Sequence, residues 1–216
     1  MQLFCDFDGT VTTIDGTDAV LERFALPQWR EWEACWKAGE ISSQECLSHQ
    51  VRLIRANREE LVQFSEALPI DDGIFELSRL SLERGVPLTI VSDGLDLIAQ
   101  TVLRHHGLQH IPIFTNRFLW NNDGTPSVEF PYLFQDCSNG SGTCKCELTK
   151  PARLSGSRCI YIGDGQSDFC VSKKIDEVYA KGSLQDWCAS EGIGFRSFTT
   201  LHEVAESLFS QETSKP

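Results

Sequence analysis

The spacing of hydrophobic positions changes near residue 15 and again near residue 69. Residues 2–7 form a short apolar run rich in β-formers, which predicts a buried strand. Between residues 15 and 68, apolar residues recur at spacings of three and four in four consecutive stretches. This pattern predicts about four helices with no strand among them. Ser42, Ser43 and Asn57 are good candidates for helix N-caps in this block.

After residue 69, short apolar strands alternate with amphipathic helices. The predicted strands are 86–92, 111–115, 158–163, 177–180 and 193–198, and the predicted helices lie near 73–84, 95–105, 184–190 and 201–209, with one more after Asp168. Strands separated by helices of about ten residues imply right-handed crossovers and a mostly parallel sheet. The Asn-Asn-Asp-Gly turn at 121–124 predicts an antiparallel hairpin of residues 118–120 and 127–130.

Together these elements predict an α/β fold with a Rossmann-like core. Residues 1–14 and 70–216 would form this core around the mostly parallel sheet. Residues 15–69 would form an inserted all-helical unit, which we call the cap segment, and the hairpin would be a small excursion. The last residues, QETSKP, have the composition of a disordered tail.

Composition narrows the class of protein. The 216 residues carry 31 acids and 19 bases, a net charge of −12, which argues against a general nucleic-acid binder. No apolar run reaches the ~20 residues needed to span a bilayer, and the N-terminus lacks the pattern of a secretory signal. We therefore expect a cytoplasmic protein, monomeric or homodimeric, that binds a small molecule rather than nucleic acid or membrane.

Two pairs of acidic residues follow predicted strands. Asp6 and Asp8 follow the first strand, with Gly9 allowing a sharp turn, and Asp164 and Asp168 follow the strand at 158–163. Such pairs are costly beside an apolar strand unless a cation or a shared proton compensates them. Each pair alone is also compatible with solvated acids and a helix cap.

A hydroxyl and a lysine belong to the same predicted sheet edge. Ser92, Asp93 and Gly94 end a strand, where a hydroxyl and free N–H groups suit an anion, although a simple helix cap fits as well. Lys145 lies nineteen residues before Asp164. Because strand ends of a parallel sheet meet at one edge, these groups would surround a phosphate beside Mg²⁺, the cation that hard oxygen ligands favour.

These motifs, DFDGT, the Ser92 strand end, Lys145 and GDGQSD, resemble those of the haloacid dehalogenase superfamily of aspartate-nucleophile phosphatases. A helical insertion directly after the first motif resembles the phosphoserine phosphatase subgroup. IVSDG, then TN with a later FP, and TCK resemble its methionine-salvage branch. That branch acts on 2-hydroxy-3-keto-5-methylthiopentenyl-1-phosphate.

The resemblance implies a role for each matching residue. Asp6 would attack phosphorus and form an aspartyl-phosphate, and Asp8 would act as general acid and then general base. Mg²⁺ would be held by Asp6, the backbone carbonyl of Asp8, and Asp164, with Asp168 supporting the metal site. The remaining residues of this set would bind the phosphate: Gly9, Ser92, Asp93, Gly94 and Lys145. Lys150 is the alternative to Lys145, and the TCK context favours Lys145.

Several features of the cap segment leave alternatives open. Trp29, Trp32 and Trp36 share one helical face, which favours packing within the segment over a wall facing the substrate. Asp15 would either face the site or cap the first helix, and we favour the capping or solvated role for Asp18 and Glu22. A substrate with an organic acid group would need a basic partner, for which Arg23, Arg52 and Arg55 are the candidates.

The nine cysteines do not point to a disulfide framework. Cys5, Cys159 and Cys170 lie in apolar runs that suggest core packing. Cys137, Cys144 and Cys146 form the one cluster in sequence, and free thiols are favoured there over a zinc site or a disulfide.

Four functions stay open from the sequence. The leading prediction is a Mg²⁺-dependent phosphatase of a small metabolite. The alternatives are a phosphatase for phosphoserine or phosphocholine-like esters, a phosphotransferase of the same fold, or a non-enzymatic binding domain.

Overall fold

The computed structural model describes residues 1–137 and 139–209, and its centre is a seven-stranded sheet. The strands are β1 (Gln2–Cys5), β2 (Leu88–Leu95), β3 (Ile113–Trp120), β4 (Pro126–Glu129), β5 (Cys159–Gly163), β6 (Glu177–Ala180) and β7 (Arg196–Ser197). Their order is β4-β3-β2-β1-β5-β6-β7, and every pairing is parallel except that of β4 with β3. The prediction of a mostly parallel α/β sheet is confirmed.

Ten α-helices surround this sheet in the described residues. They are α1 (Gly16–Phe24), α2 (Trp29–Lys37), α3 (Ser43–Val51), α4 (Arg58–Glu66), α5 (Gly73–Glu83), α6 (Asp96–His105), α7 (Lys145–Leu154), α8 (Phe169–Ser172), α9 (Gly182–Glu191) and α10 (Leu201–Phe209). A 3₁₀ turn, Gln166–Asp168, precedes α8. Helices α1 to α4 confirm the predicted helical block. Ser42 and Asn57 cap α3 and α4, each in a capping box with the glutamate three residues on.

The chain enters and leaves the cap segment at neighbouring points. The N–H of Thr13 donates to the carbonyl of Pro69 at 3.0 Å, and the N–H of Asp71 donates to the carbonyl of Val11 at 2.9 Å. Helix α4 packs on α6, and the apolar core continues from the sheet into the cap segment. The division into a core of 1–14 and 70–216 and a cap of 15–69 stays a prediction.

One prediction about the strands is wrong in its connectivity. Residues 111–115 and 118–120 were expected as separate strands, but β3 runs without a break from Ile113 to Trp120. Its first half pairs with β2 and its second half with β4. Asparagine disfavours strands, yet Asn116 donates to the backbone carbonyl of Asp93 at 2.7 Å. A tertiary hydrogen bond therefore offsets the local preference.

Two further strand boundaries differ from those expected. The strand predicted at 193–198 is reduced to the two residues of β7, because only Arg196 and Ser197 pair with β6. Strand β2 extends to Leu95, and its register with β3 shifts between Val91 and Leu95. Ser92 and Gly94 therefore lie in an irregular part of the strand rather than after it. Such bulges commonly redirect side chains beside active sites.

No helix within residues 1–137 or 139–209 is long and apolar enough to span a membrane. The predicted tail at residues 211–216 lies outside the described residues.

Candidate active site

The two acidic pairs predicted from the sequence meet at the carboxyl ends of β1 and β5. Asp6 directly follows β1, and its N–H donates to the carbonyl of Ile162 at 2.8 Å, which fixes the two strand ends side by side. Carboxylate oxygens of Asp6, Asp164 and Asp168 all lie within 4.8 Å of one another. Adjacent parallel strands thus bring together residues that are more than 150 positions apart in sequence.

Lys145 is the cation inside this cluster. It begins α7, is only 3% exposed, and its Nζ lies 2.9 Å from Asp6 Oδ1 and 2.5 Å from Asp168 Oδ1. The same Nζ donates to Ser167 Oγ at 2.8 Å. Lys150 instead pairs with Glu147 on the surface, with its side chain 48% exposed. The geometry thus agrees with the choice of Lys145 over Lys150.

Asp168 is fully occupied by protein donors. Its Oδ1 accepts from Lys145 and from the hydroxyl of Tyr161, the latter at 2.5 Å. Its Oδ2 accepts from the N–H groups of Asp164 and Gly165 at 3.1 and 3.2 Å. With both oxygens engaged, Asp168 is suited to holding the lysine and the β5 turn in place rather than to ligating a metal.

Asp164 keeps one oxygen available. Its Oδ1 accepts from the hydroxyl of Thr10 at 2.8 Å, which orients the carboxylate toward Asp6. Gly9 approaches so closely that a Cβ on it would lie 2.3 Å from Asp164 Oδ2, and its φ is +74°. Glycine is therefore required at this position for both reasons. Its N–H, predicted to bind phosphate, donates to the carbonyl of Ile14 at 3.1 Å.

Asp8 lies on the side of Asp6 that faces the cap segment. Its Oδ1 accepts from the N–H of Gly16 at 2.9 Å, and its Oδ2 accepts from Ser92 Oγ at 3.3 Å. The N–H of Gly94, a second predicted phosphate donor, donates to Ser92 Oγ at 2.9 Å. Burial raises the pKa of Asp8 above its ordinary value, although these hydrogen bonds oppose the shift. A raised pKa suits a group that must deliver a proton.

Asp93 ties the cap segment to the core. Its carboxylate accepts from Ser43 Oγ at 2.6 Å, from the N–H of Thr143 at 2.8 Å and from Asn116 Nδ2 at 3.2 Å. Asp93 also lines the cleft described below. Its predicted role in substrate binding stays a prediction, and its visible contacts are structural.

The acid cluster carries more negative charge than its lysine neutralises. Asp6, Asp8, Asp164 and Asp168 surround one buried Lys145. Burial and the charge of Asp168 hold the pKa of Asp6 well above its usual range and raise that of Asp164 to about 6. Hard carboxylate oxygens with an excess of negative charge fit a divalent cation such as Mg²⁺, which would lower both pKa values.

A cleft of about 140 Å³ lies between this cluster and the cap segment. Asp6, Asp8 and Asp164 line its core side, and Asp18, Trp36 and Gln50 are among the residues on its cap side. Drug-sized pockets measure about 300–1,000 Å³, so this cleft suits a small metabolite. No arginine or lysine is among the described residues that line it. Arg23, Arg52 and Arg55, the candidates for binding an organic acid, are not among these lining residues.

The three tryptophans of α2 have different surroundings. Trp29 is buried in the core, and the ring of Trp32 stacks on His49 with centroids 3.7 Å apart. Trp36 lines the cleft. The expectation of internal packing is thus met by Trp29 and Trp32, whereas Trp36 forms part of the wall.

Asp15 and Asp18 differ from Glu22 in their position. Asp15 caps α1 by accepting from the N–H of Asp18 at 2.7 Å, and both Asp15 and Asp18 line the cleft. The expectation that Asp18 is a capping or solvated residue is therefore wrong. Glu22 is exposed and pairs with Arg30, as expected for a surface acid. The sequence did not reveal that Asp18 lines the cleft, because an acid in the first turn of a helix can face either solvent or the protein interior.

Replacing Asp18 with Asn is expected to raise the thermal midpoint at about pH 8 and to change it little at about pH 4. Burial and the charge of Glu33 raise the pKa of Asp18 to about 6 in the folded protein. In the unfolded chain that pKa is about 3.9, so ionisation costs the folded state free energy as pH rises between these values. Equal shifts of the midpoint at both pH values would contradict this, and Glu22→Gln is the matched surface control.

The cysteine cluster includes a residue that the sequence assigned to core packing. The thiol of Cys146 lies 3.1 Å from the sulfur of Cys170, and Cys144 and Cys146 are buried. The described part of the chain, which includes all nine cysteines, contains no disulfide. The preference for thiols over a zinc site stays a prediction.

Several functional positions were missed in the sequence. Thr10 orients Asp164, and Tyr161 and Ser167 hold the Asp168–Lys145 pair. A sequence signal for Thr10 was present, because Thr10 is the last residue of the DFDGT motif. In the run CIYI, Tyr161 is indistinguishable from an ordinary core aromatic residue. Its hydrogen bond to Asp168 is visible only in the folded structure.

Several proteins that are similar to this chain in sequence or in fold are phosphatases. A family profile described as "Putative Phosphatase" matches residues 1–180. Two curated relatives, from Bacillus cereus (strain G9842) and Geobacillus kaustophilus (strain HTA426), are 31% identical, each over 96% of this chain and 95% of the relative. Both are 2-hydroxy-3-keto-5-methylthiopentenyl-1-phosphate phosphatases. A solved phospho-aspartyl intermediate analogue of phosphoserine phosphatase superposes with a TM-score of 0.71 at 20% identity, covering 95% of this chain and 97% of that one.

The aspartate pair after β1, the buried lysine and the acids after β5 lie together at one edge of the sheet, as the strand-end motifs predicted. The chain belongs to the phosphatase family whose profile spans its first 180 residues, and it is a phosphoric monoester hydrolase.

Proposed function

We propose that this protein is a Mg²⁺-dependent phosphatase that hydrolyses 2-hydroxy-3-keto-5-methylthiopentenyl-1-phosphate through an aspartyl-phosphate. The observation that carries the reaction is the position of Asp6, paired with Lys145 and flanked by Asp8 and Asp164, at the floor of a small cleft. The substrate follows from the relatives at 31% identity, which match over nearly the whole chain.

The reaction proceeds in two displacements. A carboxylate oxygen of Asp6 attacks phosphorus, the bond to the ester oxygen breaks, and Asp8 gives its proton to that leaving oxygen. Asp8 then takes a proton from a water that attacks the same phosphorus. The bond between Asp6 and phosphorus breaks, and inorganic phosphate leaves.

Lys145 and the metal site stabilise the charges of this reaction. The positive charge of Lys145 reduces the repulsion between the Asp6 carboxylate and the phosphoryl oxygens. Asp168 and Ser167 hold Lys145 Nζ in place. Asp6, the carbonyl of Asp8 and Asp164 would hold Mg²⁺. When bound, that ion supplies charge neutralisation for the phosphoryl group.

The lining of the cleft favours a leaving group without a carboxylate. Phosphoserine carries one, which a site would meet with a basic side chain, and the described lining offers no arginine or lysine. The enol ester of the relatives has no charge apart from its phosphate. This difference favours the methionine-salvage substrate over phosphoserine.

The direct test is phosphate release from a panel of phosphomonoesters, with Mg²⁺ and with EDTA. The panel contains the proposed enol phosphate, phosphoserine, phosphocholine and an aryl phosphate. We expect the highest kcat/KM for the enol phosphate and no turnover in EDTA. A preference for phosphoserine would refute the substrate, and full activity in EDTA would refute the metal. Transfer of phosphate to an added alcohol without release of free phosphate would favour a phosphotransferase.

Thr10→Val is expected to raise the Mg²⁺ concentration for half-maximal activity by about 10- to 100-fold. Valine keeps the shape of threonine but removes the hydroxyl that orients Asp164, and loss of such a partner weakens metal sites by this factor. Thr12→Val is the matched control, because the buried hydroxyl of Thr12 donates to the carbonyl of Phe7 and not to a site carboxylate in the described residues. Equal shifts in both variants would attribute the effect to general loosening of the turn.

A further inference from the structure

Thr17 carries a buried hydroxyl that no protein group satisfies. The residue is 9% exposed, and its Oγ1 has no hydrogen-bond partner in the described chain. Within a helix, a threonine hydroxyl commonly bonds the carbonyl four residues earlier. Thr17 lies in the first turn of α1, where no such helical carbonyl precedes it. Because buried polar groups are nearly always paired, this hydroxyl lacks the partner that such a group normally has.

The position of this hydroxyl is fixed beside Asp8. The N–H groups of Gly16 and Thr17 donate to Asp8 Oδ1 at 2.9 and 3.4 Å, which holds the start of α1 against the proposed general acid. A Cβ on Gly94 would lie 2.2 Å from Asp8 Oδ2 and 2.9 Å from Thr17 Oγ1. The two oxygens therefore border the same point in the wall of the cleft, which Thr17 and Gly94 both line.

The role of Asp8 indicates which part of the substrate would lie beside the Thr17 hydroxyl. The carboxyl of Asp8 protonates the ester oxygen of the leaving group, so that oxygen must lie against it. A hydroxyl beside Asp8 is in reach of an atom on the next carbon of the leaving group. Threonine donates to a carbonyl oxygen and accepts from a hydroxyl, and it binds neither a methylene nor a methyl group in this way.

We propose that Thr17 is a substrate-binding residue that selects phosphomonoesters bearing an oxygen on the carbon next to the phosphorylated one. This inference rests on the proposed phosphatase function and deepens it. In 2-hydroxy-3-keto-5-methylthiopentenyl-1-phosphate the hydroxyl at position 2 neighbours the phosphate at position 1. The class also includes simpler esters, such as 2-hydroxyethyl phosphate, that share nothing else with that substrate.

The test compares 2-hydroxyethyl phosphate with propyl phosphate, which differ by a hydroxyl in place of a methyl group. The native protein in Mg²⁺ is expected to prefer the hydroxy ester by about tenfold in kcat/KM, the usual effect of one neutral hydrogen bond. Thr17→Val is expected to abolish this preference, because kcat/KM for the hydroxy ester falls about tenfold more than kcat/KM for propyl phosphate. Thr17→Ser, which keeps the hydroxyl, is expected to retain most of the preference.

Several outcomes would overturn the inference. No preference in the native protein would do so, as would an equal loss on both esters in Thr17→Val, which would mean a role in folding or in holding Asp8. Thermal midpoints of both variants identify loss of fold directly. Failure of the proposed phosphatase function is distinguishable, because the native protein would then hydrolyse neither ester nor an aryl phosphate.

Discussion

Asp6→Asn is expected to reduce phosphate release by at least about 10⁴-fold while the protein stays folded. The amide has almost the same shape as the carboxylate but is not nucleophilic, so the first displacement fails. Asn also keeps a carbonyl oxygen that can accept from Lys145 Nζ, which lies 2.9 Å from Asp6 Oδ1. The measurement is kcat for the best substrate of the panel, with the thermal midpoint recorded on the same preparation.

Asp186→Asn, on the exposed side of α9, is the matched control for this substitution and should retain full activity. Incubation of the native protein with substrate, followed by acid quenching and peptide mass analysis, should locate a phosphoryl group on the peptide that contains Asp6. Activity above about 1% in Asp6→Asn would show that another group attacks phosphorus.

Lys145→Met is expected to lower the free energy of unfolding by about 3–5 kcal/mol and to reduce kcat by at least about 10²-fold. Removing one partner of a buried ion pair leaves the other charge uncompensated, and here both Asp6 and Asp168 lose their cation. Methionine fills a similar volume, so little of the loss comes from a cavity. Urea unfolding in the absence of Mg²⁺ measures the stability, and phosphate release measures kcat.

Lys150→Met is the control that makes the same substitution at a surface lysine. Lys150 pairs with Glu147 at the surface, and exposed pairs contribute about 0–1 kcal/mol. We expect its activity to match the native protein. Loss of turnover in Lys150→Met with normal activity in Lys145→Met would reverse the choice between the two lysines. Loss of stability without loss of turnover in Lys145→Met would limit that residue to a structural role.

Local sequence was informative where a residue's role depends on its own strand end. The apolar run before Asp6, the glycine beside Asp8 and the capping boxes at Ser42 and Asn57 follow from periodicity and from the preferences of single residues. Parallel strands align their carboxyl ends, so the meeting of Asp6 and Asp164 also followed from strand order. The convergence of both acid pairs was therefore predictable from the sequence.

Positions whose role depends on a distant partner were not predictable in this way. Asn116 sits within β3 because of its bond to Asp93, and Tyr161 faces Asp168 because β5 and the following turn fold back on each other. In each case the partner's location depends on the packing of a different element, which no local pattern encodes.

The sequence by itself determined the helical block, the mostly parallel sheet and the positions of the strand-end motifs, because hydrophobic period and such motifs are local properties, and the resemblance of those motifs indicated the class of enzyme. Only the tertiary structure decided which side chains complete the site. It buried Lys145 beside Asp6, in agreement with the TCK context, and placed Asp18 and Thr17 along the cleft. These choices depend on how α1 to α4 pack over the sheet, a three-dimensional relation between segments far apart in the chain.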